Sequence, residues 1–405
     1  MNFKEKNIQA LEEYFASGCK KDRFLGVELE HFVIDRATGL SLPYENGLEK
    51  ILTLLHPLYG KAVFSQGRIV GLTRNKQSEN PKTLAAEISL EPASQLEISI
   101  FPSSSLVEIQ NTYDEFTSII APVLHETGSE LICTGYQPKS IPRELQLIPK
   151  QRYEFMDEYF KDTGTHGLEM MRGTAAAQVS IDYEDEPDFI TKFRVANILS
   201  PIFSFITDTT GRMLRTHIWN NVDAQRSVIA KSALDKAYGF REYAEYIYAM
   251  PPIFITSNNR AIFTREKTTC EIFENRLLSP EDIEHVTSMA FPDIRLKNRI
   301  EIRSADSLPI AETLAVTAFI KSIFYDKKNL NALLHETKEI KAQDVAIAKT
   351  ALIRHGINAE IYKKPLTFWI KKLLEYVQNT KKDEESSFLR PIEEKLAEIL
   401  QKKIF

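Results

Sequence analysis

Four segments in which apolar and polar residues alternate strictly constrain the fold of this chain more than any other feature. The clearest one follows Pro92, where Leu96, Ile98 and Ile100 alternate with polar side chains. The other three cover residues 24–35, 175–183 and 291–306. A period of two residues is typical of a β-strand with one apolar and one polar face. The chain is therefore predicted to form a sheet with one buried face and one polar face.

The polar faces of these four strands share an unusual number of carboxylate, amide and hydroxyl groups. They carry Glu28 and Glu30 in the first strand, Glu91, Gln95, Glu97 and Ser99 in the second, Gln178, Ser180 and Asp182 in the third, and Glu301 and Arg303 in the fourth. A single strand of this kind is typical of the solvated face of a half-buried antiparallel sheet. Several together would repel one another unless cations neutralised them.

The kind of cation and the kind of chemistry can be narrowed from the residue types. Hard divalent ions with oxygen ligands suit carboxylates, and Mg²⁺ in particular is often held by a few carboxylates together with substrate phosphates. Arg303 supplies a fixed positive charge suited to a transferring phosphoryl group. Neither GxxxxGK[ST] nor GxGxxG occurs, so a P-loop and a Rossmann crevice are not expected.

The remaining segments predict an α+β fold with a mainly antiparallel sheet. Helical periods are found at 47–58, 103–126 and 186–203, a short strand is expected at 131–136, a hairpin or loop at 65–82, and an irregular loop at 137–167. Beyond residue 308 the period changes to about 3.6. We therefore predict a catalytic sheet domain with flanking helices at 1–307 and a helical C-terminal region packed on it at 308–405.

Charge and composition exclude several classes of partner. The formal net charge is -5 and the pI is about 6.0, which gives no electrostatic reason to expect nucleic acid or an anionic membrane. No apolar run approaches the roughly 20 residues that cross a bilayer. The three cysteines lie far apart, without a spacing typical of zinc or redox sites. We expect a cytoplasmic protein with small-molecule substrates, as a monomer or a homodimer.

Five motifs occur in the chain in this order: LGVELEHF (25–32), SLEPASQLEIS (89–99), MMRGTAAAQVSIDY (170–183), RTHIWNNVDAQR (215–226) and FPDIRLKNRIEIRSAD (291–306). Together they resemble the glutamate-cysteine ligases of the plant and bacterial branch, whose curved sheet is related to that of glutamine synthetase. The resemblance spans roughly residues 20 to 310. It implies ATP-dependent joining of the glutamate γ-carboxylate to the amino group of cysteine through a γ-glutamyl phosphate.

The resemblance also implies roles for individual residues. It implies two or three Mg²⁺ ions on Glu28, Glu30, Glu91, Glu97 and Glu301, catalysis by Glu301 and Arg303, nucleotide contacts from Gln178, Arg295 and Arg303, and amino-acid contacts from Met171, Thr174, Arg215, Trp219 and Arg226. Gln178 is a further candidate metal ligand, and Arg226 a candidate partner of the glutamate α-carboxylate. For Arg295, a second phosphate contact and a structural ion pair stay open as alternatives.

Two departures from the family pattern leave the reaction open. Ala93 and Ser94 stand where the family usually has two glycines, and residues 205–210 replace a segment that lies near the substrates in relatives. A γ-glutamyl ligase that uses another amine or amino acid is therefore an alternative. A non-catalytic Mg-nucleotide-binding protein is a second alternative.

Two histidines lie near the predicted site. His31 points to the opposite face of its strand from Glu30, which favours a structural histidine over a metal ligand. The role of His285 stays open.

Overall fold

The computed structural model describes residues 2–74, 83–257, 260–379 and 385–401. Part of the hairpin or loop predicted at 65–82, namely 75–82, lies outside this range. The strands are β1 Leu25–Asp35, β2 Lys61–Ser65, β3 Arg68–Arg74, β4 Ala86–Leu90, β5 Gln95–Ser103, β6 Ser129–Ile132, β7 Ala176–Ile181, β8 Ile253–Ser257, β9 Arg260–Arg265, β10 Ile294–Leu296, β11 Ile300–Asp306, β12 Glu360–Ile361 and β13 Lys364–Pro365. The helices are α1 Phe3–Ala16, α2 Glu49–Tyr59, α3 Leu106–Glu126, α4 Gln151–Asp162, α5 Gly167–Gly173, α6 Glu186–Ile206, α7 Leu214–Trp219, α8 Phe240–Ala249, α9 Thr269–Ile272, α10 Pro280–Ser288, α11 Ile310–Phe324, α12 Lys327–Glu336, α13 Ala342–His355, α14 Leu366–Gln378 and α15 Arg390–Gln401.

The central sheet has the strand order β10-β11-β7-β1-β5-β4-β3-β2, and β6 pairs with the second half of β1. Each of these neighbouring strands is antiparallel to the next. All four alternating segments lie in this sheet, with β1, β5, β7 and β11 next to one another. The prediction of an α+β fold with a mainly antiparallel sheet and C-terminal helices is therefore confirmed.

The apolar face of the sheet packs against helices because its alternating side chains are excluded from water. Val27 and Leu29 on β1 and Ile98 on β5 are almost completely buried, and helices α2, α3 and α11 contact the strands of this sheet. Burial of one such side chain stabilises the fold by about 1.5 to 3 kcal/mol. This packing leaves the polar rows on the opposite face of the strands.

The sequence also contains the signals that begin the flanking helices. Ser105 accepts a hydrogen bond from the backbone N–H of Glu108 at the start of α3, and Asp185 accepts one from Asp188 at the start of α6. These are N-caps that satisfy backbone donors at a helix terminus. Helix α6 is long and apolar enough to span a membrane by composition, but 83% of its most apolar window is buried inside the protein. It is therefore placed as a core helix.

Three local predictions need correction. The segment 137–167, predicted to be an irregular loop, contains helix α4, and the single strand expected at 291–306 is the hairpin β10–β11. The strand predicted at 131–136 begins two residues earlier and ends at Ile132. In the described residues of the C-terminal region, 308–379 and 385–401, the regular elements are helices and the small hairpin β12–β13. It shares one hydrophobic core with the sheet, and the boundary at 307/308 stays a prediction.

His31 lies on the apolar face of the sheet, as its place in β1 predicts. It is 1% exposed, and its Nε2 lies 2.9 Å from the hydroxyl of Tyr113 while its Nδ1 lies 3.4 Å from the backbone oxygen of Leu96. A neutral ring satisfies both contacts when Nδ1–H donates to the carbonyl and Nε2 accepts from the hydroxyl. The structure therefore supports the structural interpretation of this histidine.

We predict that His31 makes the protein less stable in acid. Burial lowers the pKa of His31 to about 4, so the unfolded chain takes up a proton near pH 6.5 while the folded protein does not. The contribution of the neutral His31 ring to the free energy of unfolding is complete above pH 6.5 and is lost as the pH falls through 4, a change of about 3 kcal/mol. Urea unfolding of the wild type and of His31→Gln at pH 7, 5.5 and 4 measures this contribution. The prediction would be contradicted if the free energy of unfolding differed between the wild type and the variant by the same amount at all three pH values.

Candidate active site

The sheet register brings the predicted acidic residues onto one face. Glu28 on β1 lies opposite Gln178 on β7 and Ser99 on β5, while Glu30 lies opposite Glu97. Residues directly opposite each other in an antiparallel pair point to the same side of the sheet. Residues two apart on one strand share that side as well. The polar stripes predicted on separate strands therefore form a single acidic surface.

This surface is the floor of a cleft with a volume of about 240 Å³. Of the predicted site residues, the cleft is lined by Glu28, Glu30, Glu91, Glu97, Met171, Thr174, Gln178, Arg215, Trp219, Arg295 and Arg303. It is also lined by residues that the sequence analysis did not single out as candidates: Pro92, Arg152, Tyr153, Met156, Met170, Ser288, Phe291 and Lys297. Two predicted residues, Glu301 and Arg226, are not among those that line it.

The four carboxylates of the cleft differ in their partners. Glu30 accepts hydrogen bonds from the backbone N–H of Ala176 at 2.7 Å and from the Gln178 amide at 3.0 Å. Glu97 accepts from the hydroxyl of Ser99 at 2.9 Å and from that of Ser89 at 3.3 Å. These contacts orient the two carboxylates without supplying a full positive charge.

The other two carboxylates lie beside them. Glu91 accepts one bond at 3.3 Å from the hydroxyl of Tyr153 on α4. Within the part of the chain that the structure describes, Glu28 has no hydrogen bond or ion pair on its carboxylate. Of the four, Glu28 is therefore the one whose oxygens are least engaged by the protein.

Burial and mutual repulsion make Glu28, Glu30 and Glu97 hard to ionise. Burial, followed by the charge of Glu91, raises the pKa of Glu30 to about 7. Burial and the nearby Glu301 raise the pKa of Glu28, and burial and Glu28 raise the pKa of Glu97 well above its ordinary value. A cation in the cleft would remove this repulsion and stabilise the ionised forms.

The donor set fits Mg²⁺ by its chemistry. It consists of carboxylate oxygens, which hard divalent cations prefer. Among the residues that the structure describes, no three His, Cys, Asp or Glu side chains surround one point closely enough to hold an ion by themselves. In proteins Mg²⁺ is usually held by one or two carboxylates together with substrate phosphates and water.

Glu301 is not among the lining residues and lies at the centre of a basic hairpin. Its Oε2 lies 2.6 Å from Arg295 Nε, and its Oε1 lies 3.2 Å from Arg299 Nη2 and 3.5 Å from Lys297 Nζ. Burial alone would raise its pKa, but Arg295 and then Lys297, Arg299 and Arg303 hold the pKa well below its ordinary value. Of the two roles considered for Arg295, the ion pair is therefore present, while the arginine also lines the cleft.

Arg303 and Trp219 form the wall next to the acidic floor. Arg303 donates from Nη1 to the amide oxygen of Gln178, and its guanidinium carbon lies 5.9 Å from the ring centre of Trp219. The guanidinium of Arg215 lies 5.2 Å from the same ring. Trp219 donates from its indole nitrogen to the hydroxyl of Thr174 at 3.2 Å. The tryptophan thus fixes two arginines through cation–π contacts.

Gln95 explains how the turn after β4 is held without the two glycines of the family pattern. Its side-chain oxygen accepts from the backbone N–H of Ala93 at 3.1 Å, and its amide donates to the backbone oxygens of Met171 and Thr174. Ala93 and Ser94 are both buried and neither has a positive φ. This turn therefore does not require glycine, and Gln95 joins it to the last turn of α5 and to Thr174.

Arg226 is fully buried and is not among the residues that line the cleft. Its Nε lies 2.7 Å from Asp223 Oδ2, and its terminal nitrogens donate to the backbone oxygens of Met289 and Pro251 and to the hydroxyl of Tyr159. All three nitrogens are engaged, which is typical of a structural arginine. Its contact with the glutamate α-carboxylate stays a prediction, and the geometry instead places Arg215 in the cleft.

His285 on α10 has a structural environment. Its Nε2 lies 2.6 Å from the backbone oxygen of Phe254, and burial lowers the pKa of the imidazole.

Two basic residues of the cleft were not predicted from the sequence, for different reasons. Arg152 lies on α4, in the segment expected to be a loop. Lys297 is two residues from Arg295 on the same side of the hairpin, so the two-residue period could have identified it.

The fold is shared with a solved ligase structure. The chain matches the glutamate-cysteine ligase of Francisella tularensis, solved in complex with AMP, with a TM-score of 0.56, over 95% of this chain and 83% of that chain. The identity is 10%, so this similarity shows a common fold alone.

Sequence comparison identifies the family. The model of glutamate-cysteine ligase family 2 matches residues 24–401, and the chain therefore belongs to that family. The chloroplastic glutamate-cysteine ligase of Arabidopsis thaliana is 30% identical over 94% of this chain and 75% of its own length. That of Nicotiana tabacum is 30% identical over 86% of this chain and 68% of its own length. The resemblance inferred from the five motifs is confirmed.

We predict that Glu97→Gln stabilises the metal-free protein. The raised pKa of Glu97 means that the folded state disfavours its ionisation, a cost that begins near pH 4.5 and grows as the pH rises. Glutamine keeps an acceptor for Ser99 but carries no charge. At pH 8 in EDTA we expect a gain of about 1 kcal/mol or more in the free energy of unfolding, because one pKa unit equals about 1.4 kcal/mol. The gain should disappear at pH 4, and equal stability of both proteins at pH 8 would refute the explanation.

Proposed function

We propose that the protein joins the γ-carboxylate of glutamate to the amino group of cysteine with consumption of ATP. In this reaction the γ-carboxylate attacks the γ-phosphorus of ATP and releases ADP. The amine then attacks the γ-glutamyl phosphate and releases phosphate. Membership of glutamate-cysteine ligase family 2 supports the proposal. The observation that carries it is the meeting of an acidic sheet face and several basic side chains in one cleft.

The acidic face suits the binding of metal-bound nucleotide phosphates. Glu28, Glu91 and Glu97 are the carboxylates we propose for Mg²⁺, and Glu30 completes the set while bound to Gln178. When bound, Mg²⁺ neutralises phosphate charge and fixes the position of the phosphates. Glu301 was predicted from the resemblance as a further ligand. In the structure its carboxylate contacts three basic side chains, so we propose that it holds the basic hairpin in place.

The basic residues suit the charge that develops during phosphoryl transfer. We propose that Arg303 contacts the transferring group and that Arg295 and Lys297 add positive charge beside it. Burial, followed by the repulsion of Arg295, lowers the pKa of Arg303 to about 10, which leaves its guanidinium protonated at neutral pH. Fixed cations in a site that excludes water stabilise such a transition state without reorganisation.

The wall formed by Thr174, Arg215 and Trp219 suits the amino-acid substrate. Arg215 is 5% exposed and lines the cleft, and its buried Nε has no hydrogen-bond partner in the described structure. A buried donor without a partner is costly, and a substrate carboxylate would satisfy it. We therefore propose Arg215 for the α-carboxylate of glutamate.

A different amine acceptor remains the second candidate because residues 207–210 differ from the family pattern. This segment shapes the start of α7, which carries Arg215 and Trp219. Asp208 accepts from the backbone N–H of Met213 at 2.9 Å, and Thr210 accepts from that of Leu214 at 3.0 Å. A change in this segment can therefore move the wall of the cleft without touching the substrate.

The decisive experiment measures ADP release by the purified protein with Mg-ATP and glutamate, with and without cysteine, and determines the product mass. We expect γ-glutamylcysteine. Glutamate-dependent ADP release with no cysteine adduct would favour another acceptor, to be sought in a panel of amines at equal concentration. Tight Mg-ATP binding with no ADP for any substrate would favour the non-catalytic alternative.

We predict that Arg303→Lys lowers kcat by about a hundred-fold, because lysine cannot both bond Gln178 and present a planar pair of donors to the phosphoryl group. The KM for glutamate should change little. The matched control is Arg241→Lys, which should keep wild-type kcat. Arg241 is a partly exposed arginine on α8 that pairs with Glu5 and is not among the lining residues. If both variants have wild-type kcat, Arg303 does not act on the transferring group.

A further inference from the structure

Helix α13 of the C-terminal region extends one buried lysine to Asp293 and Asn220. Lys349 is 6% exposed, and its Nζ lies 2.7 Å from Asp293 Oδ2 and 3.4 Å from the side-chain oxygen of Asn220. Asp293 precedes β10 and Asn220 follows α7 in the chain. Because a buried ammonium group needs partners, these contacts specify where the lysine lies. Lys349 therefore ties the C-terminal helices to two segments that carry cleft residues.

The backbone of Arg303 is held from both sides by this arrangement. Its N–H donates to the backbone oxygen of Asp293 at 2.8 Å, and its carbonyl accepts from Arg215 Nη2 at 3.0 Å. The pairing of β11 with β7 is irregular between Ile302 and Ala305. An irregularity of this kind changes the direction of a side chain. The direction of Arg303 thus depends on Asp293 and Arg215.

The carboxylate of Asp293 is balanced by cations from two regions of the chain. Burial alone would raise its pKa, but Lys349, followed by Arg215, holds the pKa below its ordinary value. Without Lys349 the ionised carboxylate would remain half-buried with Arg215 as its main cation. Arg215 would then be drawn toward Asp293 and away from the carbonyl of Arg303.

From these contacts we infer that Lys349 is a positioning residue for the reaction. It holds Asp293 and Asn220 so that Arg303, Arg215 and Trp219 keep the geometry of the cleft wall. The inference rests on the proposed function, in which Arg303 contacts the transferring phosphoryl group. It assigns a role in the site to the C-terminal helices, none of whose described residues is among those that line the cleft.

The first test compares Lys349→Met, Lys349→Arg and the matched control Lys372→Met. Lys372 lies on α14 and pairs with Glu336 at 3.3 Å, so it is a lysine ion pair of the same region without contact to the cleft. We expect Lys349→Met to lower kcat about ten- to a hundred-fold, since small displacements of catalytic groups have effects of this size. The KM for glutamate should rise as well, because Arg215, proposed for the glutamate α-carboxylate, is displaced together with Arg303. Lys349→Arg should recover most of kcat.

A second readout does not depend on turnover. Trp219 is one of two tryptophans and contacts both arginines, so its fluorescence reports their position. Lys349→Met should shift the emission, Lys372→Met should not, and the shift should be absent when Trp219→Phe is also present. If the wild type lacks ligase activity, the proposed function fails while this measurement still tests the positioning.

The double variant Lys349→Met with Asp293→Asn tests the inference even if Lys349→Met alone fails to fold. Removing both charges avoids an unpaired buried carboxylate, so we expect wild-type thermal stability but a lowered kcat and a shifted Trp219 emission. A stable double variant with wild-type kcat and emission would overturn the inference. So would a Lys349→Met protein that matches Lys372→Met in both measurements.

Discussion

The buried ion pairs around Glu301 are the interaction on which the candidate site depends most. Glu301 faces Arg295, Lys297 and Arg299 across a tight hairpin, where burial makes each contact strong and each missing partner costly. Buried ion pairs add little stability compared with apolar residues of the same size. Their place beside an acidic sheet face is therefore better explained by function. They keep a group of positive charges close to carboxylates without letting the two groups neutralise each other.

The opposite charges divide the cleft into two halves with different electrostatics. On the floor, Glu28, Glu30 and Glu97 have raised pKa values because they are buried near one another. On the hairpin, Glu301 stays ionised because cations surround it. These four carboxylates from neighbouring strands thus have different protonation behaviour according to their partners. Polyphosphate with its metal ions would complement both halves at once, with cations on the floor and anionic oxygens toward the hairpin.

Much of this could be predicted from sequence because a two-residue period determines which side chains share a face. It predicted the strands that carry Glu28, Glu97, Gln178 and Glu301, and the structure shows these strands as neighbours in one sheet. The period could not reveal what a side chain meets beyond its own strand. Arg226 matches a family position but is enclosed by Asp223 and backbone oxygens. Helix α4 was missed because its polar residues mask the helical period, and Arg152 was missed with it.

Lys349 is the clearest case in which the local sequence does not reveal what a side chain contacts. Nothing in its own segment distinguishes it from a solvated lysine. In sequence it lies on an amphipathic helix among other charged residues, and solvent exposure is the ordinary expectation there. Only the packing of α13 against α6 turns it inward to Asp293. A side chain whose partner lies 56 positions earlier in the chain is determined by tertiary structure alone. The C-terminal helices can therefore influence the cleft although they line none of it, through an ion pair that a local pattern does not encode.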